Sequence, residues 1–149
     1  MDLQERVRQF TLDTLAALGL SLDVTIDDTP DGIRVEISGD GGEALLRRRA
    51  EALDALQVIV NTAFRRELKD DRSFVVDCLG YRKAKDAELR QMTRFVMEKV
   101  KLNGMAQEMG PLNPYDRRIV HLTMAEDPAL TSESIGDAFL KTVIISPKR

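Results

Sequence analysis

Two hydrophobic periods alternate along the chain and mark out its elements. Between residues 2 and 18, Leu3, Val7, Phe10 and Leu18 repeat at helical spacing, with Leu15 at the edge of the stripe and Gly19 as a stop. From Leu20 the period drops to two. Leu20, Leu22, Val24 and Ile26 alternate with Ser21, Asp23 and Thr25, the pattern of a half-buried strand. Asp27-Asp28-Thr29-Pro30-Asp31-Gly32 reads as a turn, and Ile33, Val35 and Ile37 alternate again, so the two strands form a hairpin. Gly39-Asp40-Gly41-Gly42 breaks the pattern. Residues 43–69 return to a helical period through Leu46, Leu53, Leu56, Val60 and Phe64, and residues 72–81 form a third strand with Phe74, Val76 and Cys78 on one side.

The second half repeats the alternation of periods. Residues 82–103 read as a long helix with the stripe Leu89, Met92, Val96 and Val100, ending at Asn103-Gly104. Met105 to Met109 alternates briefly, and Gly110-Pro111 turns the chain into a helix over residues 113–124. Thr131-Ser132-Glu133-Ser134-Ile135-Gly136 reads as a polar, turn-forming loop, and Leu140 to Ile145 as a final strand. The expected class is α+β. No low-complexity linker separates the third strand from the long helix, so two closely joined domains are expected, over residues 1–81 and 82–149.

The chemistry concentrates in Asn113-Pro114-Tyr115-Asp116-Arg117-Arg118-Ile119-Val120-His121. Asn113 is a good N-cap, and Pro114 fits the first helical position, where a missing N–H is no loss. Asp116 places a negative charge in the first turn, where the helix dipole favours it. Arg117 and His121 are four apart and share a face, while Arg118 projects about 100° round the axis and broadens the basic surface. Ile119, Val120 and Leu122 supply an opposite, buried side. A fixed cation and a titratable ring at a helix start suit a phosphate.

Charge sharpens this picture. The chain of 149 residues carries a net charge of −3, which disfavours nucleic acid until it is divided. Residues 1–44 hold 3 basic and 10 acidic groups, a net −7, whereas residues 45–149 hold 19 basic and 15 acidic, a net +4. The single cysteine, Cys78, excludes an internal disulfide and reads as a small core residue. No Cys/His cluster has zinc spacing, and no cofactor motif is present: Gly39–Gly42 lacks the Lys-Ser/Thr that follows a phosphate loop. No apolar run reaches membrane-spanning length and no signal-peptide core opens the chain, so membrane insertion is not expected and the cytoplasm is.

The string from Asn113 to Leu122 resembles the signature of the R-x-x-x-H (R-three-H) domain, a single-stranded nucleic-acid-binding module, in the wording used by the bacterial Jag family (KhpB, SpoIIIJ-associated). The resemblance extends to Leu53-Asp54-Ala55-Leu56-Gln57, to Val60-Asn61 and to Gly80-Tyr81-Arg82. It implies a type II KH-like domain, a three-stranded sheet with helices, followed by a small α/β R-x-x-x-H domain. The N-terminal Jag domain and linker of many relatives are not expected in this chain. A KH domain grips the nucleic-acid backbone through a Gly-x-x-Gly loop. That loop falls here at Arg47-Arg48-Arg49-Ala50, with both glycines replaced. Either the flanking helices fuse, or the loop survives and Arg47, Arg48 and Arg49 meet phosphates through their side chains.

Three function classes follow. The first is a non-catalytic binder of single-stranded RNA, with single-stranded DNA as a second ligand. Arg117 and Arg118 would engage phosphates or bases, His121 would hydrogen-bond or stack, Tyr115 would be the nearby aromatic, and Asn113 would shape the helix start. The bland reading of Arg117 and His121 is that they only cap and solvate their own helix. The second class is an interaction scaffold with weak or lost nucleic-acid contact. It is supported by the acidic first 44 residues and the altered loop, and the resemblance adds a small KH-domain partner and cell-division or envelope control. The third class, an enzyme with His121 as general acid or base, is disfavoured: there is one histidine and no nucleophile or carboxylate cluster beside it.

Overall fold

The alternating stretches fold as a hairpin in the computed structural model of the chain, which describes residues 1–30, 32–69 and 71–149. β1 (Asp23–Thr29) pairs antiparallel with β2 (Gly32–Ser38), Val24 facing Ile37 and Ile26 facing Val35. The strands run further into the expected turn than the polar residues suggest: Asp27, Asp28 and Thr29 are all laddered. Asp31, in the same expected turn, lies outside the described residues. β3 (Phe74–Cys78) joins β2 in parallel, so the sheet order is β1-β2-β3. At the start of β2, Gly32 has φ +147°, and a Cβ there would come within 2.6 Å of the Ser73 carbonyl oxygen, so glycine is required.

α1 (Leu3–Ala17) and α2 (Arg47–Phe64) close one face of this sheet over Val7, Leu15, Leu53, Leu56, Val60, Phe74 and Val76. The stripe of α1 is Val7, Thr11 and Leu15, not one running to Leu18. Leu18 is the C-cap residue and is 64% exposed, because the helical phase ends one residue before it. Asp2 caps the other end, its carboxylate accepting the Glu5 amide at 2.8 Å. The free edge of β3 is covered by amide side chains of α2. Asn61 Nδ2 donates to the Phe74 carbonyl at 2.8 Å and its Oδ1 accepts the Phe74 N–H at 2.9 Å, while Gln57 Oε1 accepts the Val76 N–H at 2.9 Å. These two residues thereby act as a fourth strand and satisfy groups that would otherwise template aggregation.

Residues 47–50 do not fuse into a continuous α-helix with what precedes them. A 3-10 helix (Gly42–Leu46) leads in, and Arg48, Arg49 and Ala50 then adopt left-handed backbone (φ 53°, 59° and 61°) before α2 proceeds. A left-handed turn thus forms at Arg48–Ala50 without glycine. Ala50 is fully buried beneath it and the three arginines are exposed. A left-handed turn costs an L-residue about 1–2 kcal/mol, offset for glycine by its larger entropy loss of about 0.5–1 kcal/mol. Arg48→Gly and Arg49→Gly are therefore each expected to raise stability by roughly 0.5–1 kcal/mol. Thermal melts followed by circular dichroism check this, and a drop in melting temperature would mean that the arginine side chains themselves hold the turn.

The chain divides into two compact units, Met1–Arg82 and Lys83–Arg149. In the second, α3 (Tyr81–Asn103, of which Lys83 onward belongs here) and α4 (Pro114–Met124) cover a sheet of order β4-β6-β5: β4 (Gln107–Leu112), β5 (Leu130–Ile135) and β6 (Lys141–Pro147), all antiparallel. Its core is Leu89, Met97, Val100, Ile119, Val120, Met124, Val143 and Ile145. On α3 the buried positions are Asp86, Leu89, Thr93, Met97 and Val100, so the expected Met92 faces outward at 52% exposure and Thr93 takes its place, donating to the Leu89 carbonyl at 2.7 Å. The stretch expected as a polar loop at 131–136 is largely β5. It reads as polar because β5 is an edge strand with one side in solvent.

Candidate nucleic-acid interface

The basic helix is positioned by the residues just before it. Gly110 has φ +116°, and a Cβ there would lie 2.9 Å from the Leu112 amide and 3.1 Å from the Lys141 carbonyl oxygen, so only glycine lets β4 end where α4 begins. Asn113 then caps α4: its Oδ1 accepts the Asp116 N–H at 2.8 Å, and Pro114 occupies the first turn. Tyr115 is not presented to solvent as a stacking ring. It is partly buried against the core, and its hydroxyl donates to Asp86 on α3 at 2.8 Å. Asn113 and Tyr115 are thus the residues that fix the helix start. The opposite side of α4 is Ile119, Val120, Thr123 and Met124. Leu122, expected there, is 53% exposed because it falls outside that arc.

Arg117 and His121 do share a face, and both are engaged within their own unit. Arg117 Nη1 donates to the Leu112 carbonyl at 2.6 Å and to the Phe139 carbonyl at 2.8 Å. It therefore ties α4 to the end of β4 and to the loop between β5 and β6. His121 Nδ1 lies 2.7 Å from Ser132 Oγ and its Nε2 3.0 Å from Ser134 Oγ, so two hydroxyls of β5 hold the ring on both sides. Each serine can donate or accept, so the pair accommodates either tautomer. Arg118 is exposed on the adjacent face. The arrangement is a partly buried, hydrogen-bonded Arg–His pair beside a solvent-facing cation, a set of groups whose chemistry suits a phosphate.

Beside His121 a shallow cleft of about 290 Å³ is lined by Asp127, Leu130, Ser132 and Lys148 among others. Its carboxylate does not repel anions freely. Lys101 hydrogen-bonds Asp127 at 2.9 Å and, with the Ala129 N–H, holds that carboxyl below its usual range, while Asp127 in turn raises Lys101. Elsewhere on α3, Arg94 is paired with Glu126 at 3.1 Å, so its charge is balanced within the unit. Over the unit as a whole, 11 basic and 9 acidic residues leave a net +2, against −5 in the first.

Arg47, Arg48 and Arg49 belong to the first unit, where they stand exposed on the left-handed turn. Sequence reasoning missed Ser132 and Ser134. Their signal was the period-two alternation Leu130, Ser132, Ser134, which marks one face of a strand. It also missed Phe139, which has no periodic signal.

Residues 87–147 match the family model of the R-three-H domain. The chain is 28% identical over 149 residues to the RNA-binding protein KhpB of Clostridium symbiosum, a match covering 99% of this chain and 67% of that protein. It is 25% identical over 141 residues to the RNA-binding protein KhpB of Bacillus subtilis (strain 168), covering 93% of this chain and 68% of that one. The chain thus spans about two thirds of the length of each of these relatives. The match to the R-three-H model thus falls within the second unit, in a chain similar over nearly all its length to two RNA-binding KhpB proteins.

Proposed function

We propose that this chain is a non-catalytic RNA-binding protein of the Jag/KhpB type that takes single-stranded RNA on the α4 face of its second unit. The observation that carries the reading is the Arg117–His121 pair, held by Phe139, Ser132 and Ser134, with Arg118 exposed beside it. Phosphates would be met by Arg118 and by the guanidinium nitrogens that Arg117 keeps beyond its one donating Nη1. Catalysis by His121 is disfavoured, since a general base needs a ring nitrogen turned to substrate and both are bonded to serines. The cytoplasm remains the expected compartment. Among the described residues no helix is long and apolar enough to cross a membrane.

The first unit is proposed to be type II KH-like. Supporting this are its order of helix, antiparallel hairpin, interrupted helix and parallel third strand, and the turn at 47–50 where a Gly-x-x-Gly loop would lie. Its −5 charge and non-glycine turn favour a second role for that unit, docking a small KH-domain protein, with Arg47, Arg48 and Arg49 adding electrostatic rather than backbone contacts to RNA.

The test is a salt titration of binding to short single-stranded RNA, single-stranded DNA and duplex RNA. Single strands should bind more tightly than duplex, with affinity falling as salt rises. The Arg47→Ala/Arg48→Ala/Arg49→Ala variant should lose less affinity than Arg117→Ala/His121→Ala. No binding to single strands even at low salt would refute the reading and leave the scaffold role.

A further inference from the structure

The chain is poor in aromatic rings, with five phenylalanines and two tyrosines, and most are spent on packing. Phe10, Phe64 and Phe74 form an edge-to-face cluster in the first unit, with centroids 5.3 and 6.5 Å apart. Tyr81 packs on the same core, and Tyr115 is tied to Asp86. Phe95 and Phe139 are the exposed rings, each at 72%. Phe95 lies on α3 beside Arg94, whose charge is already paired with Glu126. Phe139 lies on the loop between β5 and β6, flanked by the exposed Ile135 and Leu140. A single exposed apolar side chain needs no explanation. Phe139 is distinguished by its anchor, because its own carbonyl accepts the hydrogen bond from Arg117 Nη1. The first residue of the R-x-x-x-H signature therefore fixes the backbone from which this ring projects. A stacking contact is strongest when the ring is rigid, solvent-facing and close to a cation that holds the adjoining phosphate.

Resting on the RNA-binding reading above, we infer that Phe139 is a base-stacking residue of the α4 face, its ligand class the unpaired nucleobases of a single strand, and that Arg117 is its positioning residue. This assigns to Phe139 the role that Tyr115 cannot fill. It also gives a physical reason for single-strand preference, because duplex bases have their faces already stacked.

The experiment measures binding, by fluorescence anisotropy at low salt, of wild type, Phe139→Ala, Phe139→Trp and Arg118→Ala. Two probes are used: a short uridine-rich RNA and an abasic sugar–phosphate strand of the same length. Phe139→Ala should weaken RNA binding roughly 5- to 100-fold, the range of one lost base stack, and leave abasic binding unchanged. Arg118→Ala should weaken both. Phe139→Trp should keep RNA affinity, and its emission, the only indole signal in a chain without tryptophan, should be quenched by RNA and not by the abasic strand. If wild type binds RNA and Phe139→Ala binds it equally well, the stacking role is overturned while the binding reading stands. Equal losses on RNA and abasic strands would overturn it too, showing a merely structural role. If wild type binds neither probe, both readings fall.

Discussion

Asp77→Ala destabilises the first unit by on the order of 3–5 kcal/mol, the cost of breaking a buried charge pair by removing one partner. Asp77 is fully buried at the end of β3 and has no contact with solvent. Its Oδ1 accepts the N–H groups of Cys78 and Arg82, each at 2.8 Å, so it caps the first turn of α3. Its Oδ2 lies 3.2 Å from Arg34 Nη2, and Arg34 is itself only 17% exposed at its side chain. Alanine would orphan two backbone donors and take from Arg34 the buried carboxylate it faces. Asp77→Asn keeps one acceptor for the two donors but turns a neutral amide toward Arg34, so its cost should be intermediate. Amide exchange read separately over residues 1–82 measures both, since a two-unit chain need not unfold in one step. A change below about 1 kcal/mol would mean that water enters and replaces the carboxylate.

Arg117→Ala lowers both stability and RNA affinity, whereas Arg118→Ala lowers affinity alone. Arg117 supplies a charged donor to two carbonyls, and hydrogen bonds of that kind contribute about 1.5–3 kcal/mol. Its loss should release the loop that carries Phe139, so affinity falls further than one phosphate contact explains. Arg117→Lys should recover part of the stability, since an ammonium reaches one carbonyl but lacks the planar guanidinium. Arg118 is exposed on α4, and its removal should change stability by less than about 0.5 kcal/mol while reducing the slope of log affinity against log salt by about 1. Equal stability of the two variants would show that the Arg117 bonds are replaced by water without cost.

The sequence was most legible where one face of an element is uniformly apolar. Val24, Ile33, Val35 and Val76 announced the three strands of the first unit, and Asn113-Pro114 announced α4 to the residue. Legibility failed by phase on the helices. Leu15 and Leu18, and likewise Met92 and Met97, differ little in hydrophobicity, so only the packed partner decides which is inside, and buried threonines at 11 and 93 broke both stripes. Threonine fits there because its hydroxyl donates back to the carbonyl four residues earlier, Val7 and Leu89 respectively. β5 was hidden because edge strands need few apolar residues, and its serines were chosen for a histidine 11 and 13 positions away. The left-handed turn at Arg48–Ala50 carries no propensity signal, since none of its residues prefers that backbone. In the site, the four-residue spacing of Arg117 and His121 was correctly placed on one face, but what each side chain holds depends on residues distant in sequence.

The most direct test of the α4 face as the RNA site is a residue-resolved amide NMR titration of the whole chain with a short single-stranded RNA. The account predicts the largest shifts at Arg117, Arg118, His121, Ser132, Ser134 and Phe139, saturating together with the bulk binding curve. Shifts that saturate only over residues 42–64 and leave α4 and the loop before β6 unmoved would contradict it.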